Sequence, residues 1–130
     1  MALVIKGLAA ASAKGKLNEE WMMVHNDSDR TFNMDGCSIT AGRGGGRPRV
    51  VHTFKAGLVM QPAETVRLVT GSSGKKSHGE AKEEDGVRNA ALFLKAAYLN
   101  GAGITIRITR RQVEMCKVVF DPEGENGMKA

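Results

Sequence analysis

The side chains best equipped for chemistry in this sequence are arginines, and they fall into two groups. Arg43, Arg47 and Arg49 sit in the glycine-rich stretch Gly42-Arg43-Gly44-Gly45-Gly46-Arg47-Pro48-Arg49. Arg107, Arg110 and Arg111, with Lys117 close behind, lie towards the C-terminal end. An extended Arg-Pro-Arg backbone is thin enough to enter the narrow minor groove of A·T-rich DNA, where guanidinium groups meet an enhanced negative potential. Gly46-Arg47-Pro48-Arg49 carries the Gly-Arg-Pro core of such a hook, and Arg43-Gly44-Gly45 is similar to Arg-Gly-Gly segments that bind single strands. The plainer reading is favoured. Glycines let a hairpin connection turn and arginines keep it solvated, while the second group decorates a sheet face. DNA contact gains weight only if both groups share one side. Trp21, the single tryptophan, offers a ring that could stack a base or sugar, though packing beneath a covering loop is the favoured reading.

Other reactive types form no recognisable constellation. His25, Asp27 and Asp29 read as an Asx-rich turn in which short polar side chains cap their own backbone, and no metal is expected. The glycines of 42–46 lack the Gly-Lys-Ser/Thr of a P-loop and any βαβ setting. Cys37 and Cys116 could bridge two sheets, but two buried reduced thiols are favoured because no export signal is evident. Neither cysteine has a histidine near it in sequence, although His52 and His78 could approach each other in space. No paired-carboxylate or nucleophile–base spacing is present, so no enzyme and no cofactor are expected.

Composition narrows the class further. The chain has 130 residues, enough for one domain with a real core. Hydrophobic residues make up 42% and charged residues 25%, which excludes wholesale disorder. Sixteen glycines against three prolines point to tight turns between short strands rather than to a proline-rich linker. Nineteen basic against fourteen acidic side chains give a net charge of +5, which permits an anionic partner without demanding one. No apolar run reaches 18 residues, so no membrane partner is expected. Ala11-Ser12-Ala13 resembles a signal-cleavage site, but Lys6 interrupts the apolar stretch before it, and a cytoplasmic location is favoured.

Strands must position these residues. Alternation and turn chemistry predict them over 2–8, 20–26, 31–34, 37–40, 50–54, 65–70 and 113–120. The clearest is 104–109, where Ile104, Ile106 and Ile108 alternate with Thr105, Arg107 and Thr109, the pattern of a half-buried antiparallel strand. In 20–26, Met22 and Val24 share one face and Trp21 and Met23 the other. Residues 71–86 read as a long solvated loop with charges of both signs. After it, Val87, Ala91, Leu94 and Tyr98 match helical spacing, while 92–94 fits a short strand equally well; periodicity leaves both open. The expected domain is 1–122, with 123–130 a frayed tail. About eight or nine short strands imply an all-β sandwich or barrel.

Four blocks, in order, resemble the lamin tail domain. They are Glu20-Trp21-Met22-Met23-Val24-His25-Asn26; Asn33-Met34-Asp35-Gly36-Cys37-Ser38-Ile39; His52-Thr53-Phe54-Lys55-Ala56-Gly57 with the following Leu58 to Leu68; and Tyr98-Leu99-Asn100-Gly101-Ala102-Gly103-Ile104-Thr105-Ile106. Cys37 stands where that family usually has Trp, leaving a smaller plug that a methionine would fill. Ala63 stands where it usually has Gly, which places a Cβ in a turn that glycine eases. The resemblance, to a stand-alone bacterial-type version, implies an immunoglobulin-like β-sandwich acting as a non-enzymatic binding or scaffolding module. It would bind protein, nucleic acid or chromatin through its loops. Self-association is expected to be absent or weak, with 2–8 or 113–120 as the edge strand that would pair.

Overall fold

A computed structural model of the chain describes residues 3–11, 16–43, 46–55, 57–71 and 87–129. Of the expected long loop 71–86, all but Gly71 lies outside the described residues, as do Ser12, Ala13, Gly44 and Gly45. The described chain is all-β. Its strands are β1 (Leu3–Ala9), β2 (Trp21–Asn26), β3 (Phe32–Asn33), β4 (Cys37–Arg43), β5 (Arg49–Thr53), β6 (Val59–Met60), β7 (Thr65–Val69), β8 (Arg88–Ala91), β9 (Ile104–Arg110) and β10 (Val113–Val119). They form one sheet in the order β1-β2-β7-β8, a second in the order β10-β9-β4-β5, and a two-stranded ribbon β3-β6.

Period-two alternation explains why these segments pair as they do. Leu3, Ile5, Met22, Val24, Val66 and Leu68 come from the first sheet, and Cys37, Ile39, Ala41, Ile104, Ile106 and Ile108 from the second; all belong to one apolar cluster. Burying a large aliphatic side chain contributes roughly 1.5–3 kcal/mol, so the isoleucine ladder of β9 anchors the second sheet. Met34 and Met60 are fully buried. The Cys37 thiol lies 3.9 Å from the Met115 sulfur, so a methionine does stand beside the small side chain.

Several elements depart from expectation. β8 is a strand where helical spacing had been one option, and it pairs parallel to β7, Val66 opposite Arg88 and Val69 opposite Ala91. Backbone pairing with an existing strand outweighs the weak 3.6-residue pattern. Residues 92–94 are not a strand: Phe93 adopts φ 56°, which turns its ring outward to 70% exposure while Leu92 is buried. The short β6 had no sequence signal. Of the expected tail 123–130, the described residues 123–129 fold back on the domain. The 3₁₀ turn Glu125–Gly127 packs on β1, where a Cβ at Gly127 would meet the Leu8 carbonyl. The Lys129 amide donates to the Val119 carbonyl at 2.9 Å, and Met128 bridges to Phe120.

Candidate functional site

The first arginine group sits where β4 passes to β5, and Gly42 and Gly46 there are a steric requirement. The Gly46 amide donates to the Arg43 carbonyl at 2.7 Å. A Cβ at Gly46 would lie 2.9 Å from that carbonyl oxygen, and one at Gly42 would lie 3.1 Å from the Pro48 Cα. The connection therefore folds tightly on itself and presents its side chains outward. Arg43, Arg47, Arg49 and Val50 are all exposed. The Arg43 guanidinium runs alongside Gly101, close enough that a Cβ there would be 2.8 Å from its Nη2. None of the three arginines enters an ion pair or a side-chain hydrogen bond among the described residues.

The second group is committed elsewhere. Arg107 donates to the Glu114 carboxylate at 3.0 Å across the β9–β10 hairpin, a surface ion pair. Arg110 donates to the carbonyls of Asn33 and Asp35, and its guanidinium carbon lies 4.9 Å from the Phe32 ring centroid. It ties the β3–β4 turn to the end of β9. Arg111 is exposed at the tip of the β9–β10 hairpin. Along β4, Cys37 pairs with Arg110 and Arg43 with Ile104. Six residues of strand, about 20 Å, thus separate the two ends. Arg110 therefore lies at the far end of the sheet from Arg43, whereas Arg107, opposite Thr40 and through it Val50, lies two strands from Arg49.

Trp21 faces away from the core, as the alternation required, but its ring is not free. The Arg67 guanidinium carbon lies 5.1 Å from the ring centroid, and a Cβ at Gly7 would be 3.5 Å from the ring edge. Arg67 is itself fully buried and donates from Nη1 to the Asn89 side-chain oxygen at 2.9 Å. A buried guanidinium over an indole is a packing device: the cation gains the ring's negative face in place of water.

Sequence reasoning missed the buried polar residues, and two of them each gather several hydrogen bonds. Glu20 is fully buried. Its carboxylate accepts from the Thr70 hydroxyl at 2.7 Å and from the amides of Tyr98 and Leu99 at 3.2 and 3.1 Å. Burial pushes its pKa up, against the pull of these three donors. Burial and the neighbouring Glu20 charge raise the pKa of the equally buried Tyr98 hydroxyl. Asn26 is the second. Its amide donates to the carbonyls of Arg30 at 2.7 Å, Gln61 at 3.0 Å and Met60 at 3.3 Å, and its oxygen accepts from Ser28 at 2.8 Å. Both residues share the parity of Met22 and Val24 along β2, and that parity was the available signal.

The remaining candidates have structural roles. The His25 ring nitrogen lies 2.9 Å from the Thr65 hydroxyl, and no three His, Cys, Asp or Glu groups converge as metal ligands among the described residues. Cys37 and Cys116 are both free thiols. They lie on the same sheet, on strands flanking β9, so a bridge between sheets is ruled out. Two strand spacings, about 9.5 Å, exceed what a disulfide spans. Burial raises both thiol pKa values, that of Cys116 to about 11, so neither is a ready thiolate. His52 stacks edge-on against Phe54 at 4.7 Å, and burial lowers its pKa; His78 lies outside the described residues.

No family model matches the chain, and no curated protein matches it either. Among the described residues no helix is long and apolar enough to cross a membrane.

Proposed function

We propose that this protein is a non-enzymatic interaction module, an immunoglobulin-like sandwich of the lamin-tail type, which binds a macromolecular partner through the β4–β5 connection. The strand orders support the architecture. With β1, β2 and β7 as the first three strands of one sheet and β5, β4, β9 and β10 as the other, the arrangement matches the immunoglobulin pattern of one outer hairpin sheet against a C′-C-F-G sheet. β8, which follows β7 and runs parallel to it, is a departure from that pattern. One observation carries the binding reading: Arg43, Arg47 and Arg49 are exposed and uncommitted, whereas the buried Glu20 carboxylate is held by three donors and the Cys37 thiol is packed in the core. Uncommitted cations on a rigid edge are suited to a partner's negative charge, and nothing near them is set up to break bonds. An affinity capture from the organism's own lysate, with the wild type beside an Arg43→Ser/Arg47→Ser/Arg49→Ser variant, tests this. The expected result is a partner retained by the first and lost by the second. Identical capture by both would remove the loop from the reading, and turnover of a small molecule by the purified chain would remove the non-enzymatic part.

The second reading, DNA contact by the same loop, rests on the exposed Gly46-Arg47-Pro48-Arg49 segment. Contact by Arg43, Arg47 and Arg49 alone would involve about three phosphates. The salt dependence of binding to an A·T-rich duplex would then have a log–log slope of about −2.7. Absence of binding at low salt excludes this reading.

A further inference from the structure

We propose that the partner is an extended acidic peptide segment, and that it docks by adding a strand to the free edge of β5. This inference rests on the binding reading above. It goes further in naming the edge, the backbone conformation and the charge of what binds there.

β5 closes the order β10-β9-β4-β5, and no described strand lies beyond it. Its ladder to β4 pairs Ser38 with Thr53, Ile39 with His52, Thr40 with Val50 and Ala41 with Arg49. No other backbone hydrogen bond of Arg49–Thr53 is found among the described residues. One side of this strand therefore carries backbone donors and acceptors without protein partners, the template for strand addition. The other edges are less suited. β1 has the Glu125–Gly127 turn packed on Gly7 and Leu8, and β8 has only four residues; β10 is met by Lys129 only at Val119, and it carries no arginine set like that of β5.

Side chains define what would fit. Val50 is 60% exposed, in register with Thr40 and through it with Arg107. It offers an apolar contact to a side chain of the incoming strand. At the N-terminal end of the edge stand Arg49, Arg47 and Arg43, all exposed and without anions. A parallel pairing of this edge with a second copy of itself would bring two such arginine sets together and cost like-charge repulsion. The shift at Val51, between the Ile39 and Thr40 pairs, is a bulge that any added strand must follow. An acidic strand meets the charge of the arginines. A segment of about five to seven residues would cover the edge.

The test uses the full chain and a displayed library of random dodecapeptides. Selection is expected to enrich peptides with alternating apolar and acidic residues. The best peptide is then measured by fluorescence anisotropy against wild type and Arg47→Glu/Arg49→Glu, both exposed positions, the second at the start of β5. Affinity is expected to fall at least about tenfold in the variant. N-methylation of alternate peptide amides should abolish binding in one phase of the alternation and spare it in the other, as only one set faces β5. Amide shift changes in a ¹⁵N spectrum should centre on Arg49–Thr53. No enrichment, or enrichment of basic peptides, overturns the inference. Loss of binding on charge reversal with indifference to N-methylation, and shifts confined to 43–49, overturns strand addition while the loop reading survives. Tighter binding of an A·T-rich duplex than of any selected peptide overturns it in favour of nucleic acid.

Discussion

Ala63 carries a cost visible at the level of one Cβ. Pro62 and Ala63 form the middle of the turn 61–64, in which the Glu64 amide donates to the Gln61 carbonyl at 3.0 Å. Ala63 adopts φ 60°, the left-handed conformation that a proline-led turn of this type asks of glycine. Ala63→Gly is expected to stabilise the fold by about 0.5–1 kcal/mol, the relief of left-handed strain less glycine's extra unfolded-state entropy. A lower urea midpoint for the variant would contradict this. Glu20 allows a pH test. Its folded pKa lies above the ordinary 4.5, so the unfolded chain releases this proton first. Glu20 thus favours the fold most when neutral, and that advantage shrinks as pH rises from about 4.5 towards the folded value. The unfolding free energy of wild type minus that of Glu20→Gln should fall across this window, since glutamine does not titrate. A flat or rising difference would show the carboxylate's three donors outweighing its burial. The positions of Ala63 and Glu20 were readable from turn chemistry and strand parity; the donors gathered around Glu20 come from residues 50 to 79 positions away and were not.

Hairpins and the C-terminal segment behave as units. The β9–β10 hairpin turns through Arg111 and Gln112, with φ of 52° and 68°, and Arg110 pairs with Val113 across it. Two successive positive φ values make a mirror-image two-residue turn, which Asn-Gly fits better than Arg-Gln. The double change Arg111→Asn/Gln112→Gly is expected to add about 1 kcal/mol of stability; a thermal midpoint no higher than wild type would count against the turn geometry. The C-terminal residues are a second unit. Gly127, at φ 75°, lies where a Cβ would strike the Leu8 carbonyl. Gly127→Ala should undock 125–129 from β1 and speed hydrogen exchange in that segment, while β9 amides remain protected. Unchanged exchange throughout would mean the contact is incidental. The sequence pattern located β9 and β10 because Ile104 to Thr109 alternates without a break. It read 123–130 as a tail because no alternation marks a segment held by backbone bonds and a glycine's close approach.

The molecule as a whole rests on one shared core, and the thiols report on its geometry. Cys37 is fully buried, and the two thiols are separated by β9. Oxidation of the native protein should therefore leave the intramolecular pair unbridged. A thiol count of two in denaturant after such treatment is expected; a loss of two mass units with no free thiol would require a different sheet assignment. Truncating the ladder at its centre with Ile106→Ala should cost about 2–5 kcal/mol, a large share of the stability expected of such a domain. Local patterning sufficed for the all-β class, for the inward faces of β2, β7 and β9, and for the turns at Asn26 and Gly36, because alternation and φ preferences act over a few residues. Which strands became edges, the parallel partner of β8, the anchoring of Arg110 on the Asn33 and Asp35 carbonyls, and the freedom of Arg43, Arg47 and Arg49 depended on pairings between residues tens of positions apart. Those contacts are selected by closure of the whole core, and no window of neighbouring residues contains that information.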